Sequence, residues 1–409
     1  MIDKARYAAY KAVKRTLGGS YSNLVSDLSE LKGVDRSFAE RIAIGTVERK
    51  ITIEFIIDKY LRGETDGDLK ALLMTGVYQL FWLDRVPDSA ACDETVRIAA
   101  QQFGRGKAGF VNAVMRSIVR NKSVIAEEVG KAEPYIRASM DRGLYYLLAK
   151  QYPERIGEIC DSFFDEQICS VRVNGLKSSA EECAAITGGR IVDGTEITGC
   201  DAAKAVENVG KGLYFIQGHG SQNAVKMLSA KEGDTVIDVC ACPGGKSLGA
   251  AIDMNNRGKI YSFDIHENKL SLICKSAKTL GIDIITPGVW DARTAKPELC
   301  GTADRVICDV PCSGTGVMGA KPEIKYRSPD SFDQLYKTQQ EILFASSKYL
   351  KVGGRMVYST CSINKAENGE RVRLFLLHNK RFSLVEEETL LPCGEGGEGF
   401  YTAVITREK

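Results

Sequence analysis

The stretch from Thr235 to Ser247, TVIDVCACPGGKS, limits the fold of this chain more than any other. Thr235, Val236, Ile237 and Val239 make a β-branched strand, Pro243 stops it, and Gly244 and Gly245 turn the chain. Lys246 and Ser247 then open a segment containing Ala and Leu. A strand, a tight glycine turn and a helix, in that order, belong to an open α/β sheet. Ligands of such sheets sit in the turns after the strands' carboxyl ends, because glycine lets the backbone approach and a helix N-terminus offers free N–H groups. Two phosphate loops fail here. A Walker A loop requires glycine where Cys240 stands. The literal GxGxxG of Gly314, Gly316 and Gly319 is trailed by Pro322, which keeps a helix from opening, so it reads as part of a rigid loop.

Strand-like and helical stretches alternate from about Lys231 onward: TVIDVC, KIYSFDI, IITPGVWD, RVICDVP and RMVYSTCS, with helices expected around Asn268–Leu280 and Ser331–Leu350. Such alternation predicts a mostly parallel, doubly wound Rossmann-like sheet. The first 125 residues read as all-helical. Leu69, Leu72, Leu73, Val77, Leu80 and Phe81 recur at three- and four-residue steps behind a capping Asp66 or Asp68, and Phe110, Val114 and Ile118 mark a second apolar face. The polar run from Asn121 to Pro134 reads as a linker, placed at 126–140. A small α+β segment is expected over 141–230, with a helix at Leu144–Lys150 and a strand at Cys169–Val173, followed by the doubly wound domain at 231–409.

With 409 residues, 44% apolar and 26% charged, the chain is long enough for two or three domains. Its start, MIDKARYAAYK, carries charge from residue 3, and no run nears the eighteen apolar residues of a membrane helix, so a cytoplasmic protein is expected. Thirteen cysteines without a regular framework argue for reduced thiols, and three dispersed histidines, His219, His266 and His378, argue against a metal site. The net charge of +2 is unevenly spread. Residues 1–125 hold 20 Lys and Arg against 15 Asp and Glu, a balance of +5, and the rest hold 35 against 38, a balance of −3. That asymmetry permits an RNA partner at the amino end without requiring one.

Asp264, Asp291 and Asp309 each end a predicted strand, which places three carboxylates along one edge of the sheet. Asp264 lies twenty residues beyond Gly244, the spacing at which a strand-end acid can accept from ribose hydroxyls. Cys312 follows Pro311 and Cys361 follows Thr360, again at strand ends. CACPGGK at 240–246, DVPCSGTG at 309–316 and YSTCS at 358–362 together resemble, in order and spacing, three signature motifs of the S-adenosylmethionine-dependent RNA cytosine-5 methyltransferases. The resemblance covers nearly the whole chain and is to the Sun/Fmu type of bacterial ribosomal RNA enzymes. DRSFAERIAIGTVERK and GFVNAVMR are similar to the antitermination-factor-like RNA-binding domain that precedes the catalytic part there.

The resemblance implies a set of roles. Cys240, Ala241, Cys242, Pro243, Gly244, Gly245 and Lys246 would form the S-adenosylmethionine loop, with Asp264 on the ribose, Asp291 on the adenine side and Asp309 at the amino-acid end and the target base. Carbon 5 of cytosine is a poor nucleophile, and a thiolate added at carbon 6 makes it enamine-like. The RNA family uses the Thr-Cys cysteine for this, so Cys361 is expected as nucleophile, with Cys312 assisting product release and Lys246 as a further catalytic cation. The partner implied is RNA, small-subunit ribosomal RNA above all, for a monomeric enzyme. A transfer RNA methyltransferase and a non-enzymatic RNA-binding assembly factor are the alternatives. One departure stands out: the family has an acid after the glutamine of YFIQGHGSQNAV, where this chain has Gly218. Lys321, Lys325 and Arg327 could meet phosphates or simply be solvated, and Cys92, Cys160, Cys169, Cys183, Cys200, Cys274, Cys300, Cys308 and Cys393 read as buried, inert thiols.

Overall fold

The structure, a computed structural model, describes residues 2–18, 28–61, 63 and 65–409. The chain forms two compact units, one of residues 1–150 and 321–329, the other of 151–320 and 330–409.

The first unit is helical. Asp66 accepts the N–H of Asp68 at 2.8 Å and caps the helix Gly67–Trp82, whose Leu69, Leu72, Leu73, Val77 and Leu80 are buried. Phe110, Val114 and Ile118 share the long helix Asp88–Arg120, which breaks at Gly104, where φ is +84°. The polar stretch read as a linker is instead helical over Lys122–Lys131 and Pro134–Arg137. Ile125 and Val129, one turn apart, supply the apolar stripe that packs it onto the unit's core. Residues 321–329 complete this unit. Lys325 is fully buried and its ammonium donates to the Glu48 carbonyl at 3.0 Å, at the C-terminal end of helix Gly33–Glu48 where a cation suits the helix dipole. It is therefore not a phosphate contact, whereas Lys321 and Arg327 are exposed.

The second unit carries two sheets. The small one is antiparallel, with strands β1 (Val171–Val173), β2 (Arg190–Ile191), β3 (Glu196–Thr198) and β4 (Tyr214–Ile216) in the order β2-β3-β1-β4. The large one contains β5 (Thr235–Asp238), β6 (Lys259–Asp264), β7 (Ile285–Val289), β8 (Ala303–Asp309), β9 (Leu350–Thr360), β10 (Phe382–Leu390) and β11 (Phe400–Arg407). Their order is β10-β11-β9-β8-β5-β6-β7, parallel from β9 to β7 and antiparallel at the β9–β11–β10 edge. Helices Glu267–Leu280 and Asp333–Ser347 lie where helices were expected. Apolar clusters cover both faces, so the central strands are nearly continuous hydrophobic runs. Strand order reverses between β5 and β8, and the carboxyl ends of those two strands frame the crevice where such a sheet takes ligands. Among the described residues no helix is long and apolar enough to cross a membrane.

Candidate active site

The loop after β5 is held in place by its neighbour β6. Ala241 donates to the Phe263 carbonyl at 2.8 Å, and the Cys242 N–H donates to Asp264 at 3.2 Å. Gly244 turns the chain at φ +113° into the helix Gly245–Asp253. Below the loop Ser247 donates to Asp238 at 2.6 Å and shares a hydrogen bond with Ser262 at 2.7 Å. Burial raises the Asp238 carboxyl to about 7, with Asp309 adding to the shift, and its second oxygen has no hydrogen-bond partner among the described residues. Burial likewise pushes the Cys240 thiol far up and that of Cys242 up to about 12, so these two are packed thiols and not thiolates.

A cleft of about 620 Å³ opens at the strand ends and is lined by Asp264, Trp290, Asp291, Asp309, Cys312 and Cys361 among others. A smaller one of about 230 Å³ lies on the other side of the loop, lined by Gln217, Asp238, Gly245 and Lys246, and shares Cys240, Cys242 and Asp309 with the first. The loop residues 240–246 therefore have Asp264, Asp291, Asp309, Cys312 and Cys361 gathered around them. Asp264 also accepts the His266 N–H at 2.9 Å, so it shapes its own turn as well as lining the cleft. Asp291 is clasped by the Arg293 guanidinium, which holds its carboxyl below the usual range.

Lys246 and Asp309 form an ion pair of 2.7 Å, and Ser359 on β9 donates to the other Asp309 oxygen at 2.6 Å. Burial alone would pull the ammonium down, but Asp309, followed by Asp238 and Cys361, keeps its pKa above the ordinary value. Lys246 is a cation that does not titrate near neutrality. The sulfurs of Cys312 and Cys361 lie 3.0 Å apart. The hydrogen bond with Cys361, then burial, drives the Cys312 pKa well up, and either sulfur can be the donor of the pair.

Several supporting residues carry no sequence signal of their own. Glu367, fully buried, accepts the Ser313 N–H at 2.7 Å, the Ser362 hydroxyl at 2.8 Å and the Gln339 amide at 2.9 Å, and so ties together the loops that bear the two cysteines. Gly316 donates to the Cys361 carbonyl at 3.0 Å, and a Cβ there would lie 1.9 Å from the Gly399 carbonyl, which explains the glycine of that loop. Gln217 is 6% exposed, and its side-chain oxygen is buried without a partner among the described residues. Beside it, Glu398 accepts the Gly220 N–H at 2.7 Å, and its carboxylate lies 2.5 Å from where a Cβ of residue 218 would stand. The acid missing at Gly218 is supplied from another part of the chain. The cysteines outside the motifs are not uniformly buried: Cys274 and Cys300 are exposed, because they sit on outer faces of surface segments.

Comparison with known proteins places this geometry. Residues 225–405 match the family model described as 16S rRNA methyltransferase RsmB/F, and residues 3–120 match the NusB family. The chain is 31% identical over 394 residues to the probable ribosomal RNA small subunit methyltransferase B of Bacillus subtilis, covering 90% of this chain and 87% of that protein. It is 29% identical to the ribosomal RNA small subunit methyltransferase B of Yersinia enterocolitica, covering 98% of each. Among solved structures, PH0851 superposes with a TM-score of 0.83 at 22% identity, over 100% of this chain and 99% of that one. NSun6 from Pyrococcus horikoshii, solved with SFG, superposes with a TM-score of 0.57 at 18% identity, over 66% and 98%. The two structural likenesses speak for the fold, and the sequence relationship for descent: the chain belongs to the RsmB/F family of 16S rRNA methyltransferases.

Proposed function

We propose that this protein methylates carbon 5 of a cytosine in small-subunit ribosomal RNA, with Cys361 as the nucleophile and S-adenosylmethionine as the donor. The observation that carries the reading is the 3.0 Å pair of cysteines beside the Lys246–Asp309 ion pair at the ends of adjacent strands. The donor set suits S-adenosylmethionine. Asp264 and Asp291 offer acceptors to ribose and adenine, with the Trp290 ring in the same wall. The partnerless oxygens of Gln217 and Asp238 suit the N–H groups of an α-ammonium. When bound, S-adenosylmethionine supplies an electrophilic methyl group.

Every other part falls to the chain itself. The Cys361 thiolate, favoured by the nearby Lys246 ammonium, adds to carbon 6 and makes carbon 5 nucleophilic. Asp309, ionised beside Lys246, accepts from the exocyclic amino group next to ring nitrogen 3 and holds the base, while the Lys246 ammonium offsets the negative charge that develops on the ring. In release, Cys312 gives its proton to the departing Cys361 sulfur and takes the proton that leaves carbon 5, while the C–H electrons restore the ring double bond. The base must be flipped out or unpaired, since carbon 6 is out of reach inside a stack. The NusB-like residues 3–120 supply RNA affinity in this reading.

The test is mass spectrometry of the protein mixed with the donor and RNA bearing 5-fluorocytosine, whose carbon 5 has no proton to lose. A covalent adduct is expected with the natural chain and none with Cys361→Ala. With ordinary RNA, Cys312→Ala should accumulate the adduct it cannot release. An adduct that persists in Cys361→Ala overturns the assignment.

A further inference from the structure

At the end of the large sheet opposite the cysteines, where β8, β9 and β10 begin and β11 ends, lies a third cleft of about 700 Å³. Its walls include Lys348, His378, Lys380, Arg381 and Arg407, and no carboxylate lines it. Arg407 is fixed in place by bonds to the carbonyls of Leu350, at 2.6 Å, and Lys409, at 3.0 Å. Lys348, Lys380 and Arg381 are exposed, and among the described residues their side chains make no hydrogen bond or ion pair. The neighbouring cations of this region are neutralised: Lys351 by Asp304, Arg355 by Glu386 and Arg373 by Glu387. Glu408, whose N–H donates to the Arg381 carbonyl, takes its carboxylate to the Ser383 hydroxyl instead of to these cations, and like charges gathered in a concavity concentrate anions there.

We propose that this cleft is an RNA phosphate-binding site, which holds the phosphodiester backbone of the substrate away from the reacting base. The inference rests on the RNA reading above. RNA is the occupant by charge complementarity, because a row of three unpaired cations matches successive phosphates of one strand. The seven residues of β8 separate the cleft from Asp309 by six steps, roughly 20 Å at about 3.3 Å per residue, so it orients RNA without touching the target cytosine. It raises affinity and leaves the chemical step alone.

The experiment compares the full chain with the triple variant Lys348→Gln, Lys380→Gln, Arg381→Gln on unmodified small-subunit ribosomal RNA. The plot of log affinity against log salt should flatten by about 2 to 3, at roughly 0.7–0.9 for each phosphate no longer neutralised. The KM for RNA should rise about tenfold or more at physiological salt, with kcat, the KM for S-adenosylmethionine and the melting temperature unchanged. Separately, RNA should protect Lys348 and Lys380 of the natural chain from acylation, read by peptide mass spectrometry. An unchanged salt slope, or RNA binding without that protection, overturns the cleft. Failure of the methylation reading shows differently, as RNA bound and the lysines protected with no methyl transferred. A natural chain that binds no RNA removes both.

Discussion

Asparagine in place of Asp238 should leave the protein's stability little changed in acid and raise it above neutrality. In the folded chain this carboxyl is 1% exposed, one oxygen accepts from Ser247, and the other has no hydrogen-bond partner among the described residues. Burial lifts its pKa from 3.8 to about 7. An acid whose folded-state pKa lies above the unfolded value holds its proton more tightly when folded. Its stabilisation is fully present below the unfolded pKa and is lost as pH rises through the folded one. A shift of about three units at 1.36 kcal/mol each is roughly 4 kcal/mol. Asparagine keeps the shape and can still accept from Ser247, but it carries no charge to bury at any pH. The assay is urea unfolding of both proteins from about pH 4 to pH 8, taking the difference so that the other titrating groups cancel. The variant's advantage should grow by roughly 4 kcal/mol across that window. A difference that stays flat would mean that Asp238 titrates as an ordinary carboxylate, and the account of a buried, half-satisfied acid beneath the loop would fall.

Two further outcomes follow from the same neighbourhood. Gln217→Leu removes an acceptor that has no partner among the described residues. The KM for S-adenosylmethionine should rise about tenfold or more, as for a lost hydrogen bond of roughly 1–3 kcal/mol, with the KM for RNA unmoved; an unchanged donor KM would place Gln217 outside the donor's reach. Glu398→Ala should cost about 1–2 kcal/mol by uncapping the helix His219–Leu228, and Gly218→Asp alone should also destabilise, since the new side chain crowds the Glu398 carboxylate. Combining Gly218→Asp with Glu398→Gly should restore the melting temperature; equal melting of all the variants would refute the exchange of one acid for the other.

Features written in contiguous residues were legible beforehand. The strand, glycine turn and helix at 235–247, the alternation beyond it and the cysteines of DVPCSGTG and YSTCS all carry their geometry locally, and the sheet brings them together. Features that depend on distant partners were not. Lys325 looks like one more charged loop residue until the Glu48 carbonyl, 277 positions away in sequence, gives its ammonium a reason to be buried. Glu367 in INKAENGE belongs to none of the motifs, yet it collects donors from three segments. Gly218 looked like a loss because its replacement, Glu398, lies 178 residues from the N–H that it caps. The polar stretch after Asn121 misled for another reason: two apolar residues a turn apart suffice to dock a short helix when a core is waiting.

The excursion of residues 321–329 bears on how the chain is made. Tyr326 hydrogen-bonds the carbonyl of Val47, the N–H of Lys50 at 3.3 Å and the hydroxyl of Ser139 at 3.4 Å, and its ring sits beneath the Lys50 ammonium. None of these bonds can form while only the amino-terminal half of the protein has left the ribosome. At roughly 5–20 residues per second of synthesis, helices finished by residue 150 wait on the order of ten seconds or more for their last piece. During that interval the amino-terminal unit lacks its last piece, and its closure reports that most of the catalytic unit has already been translated.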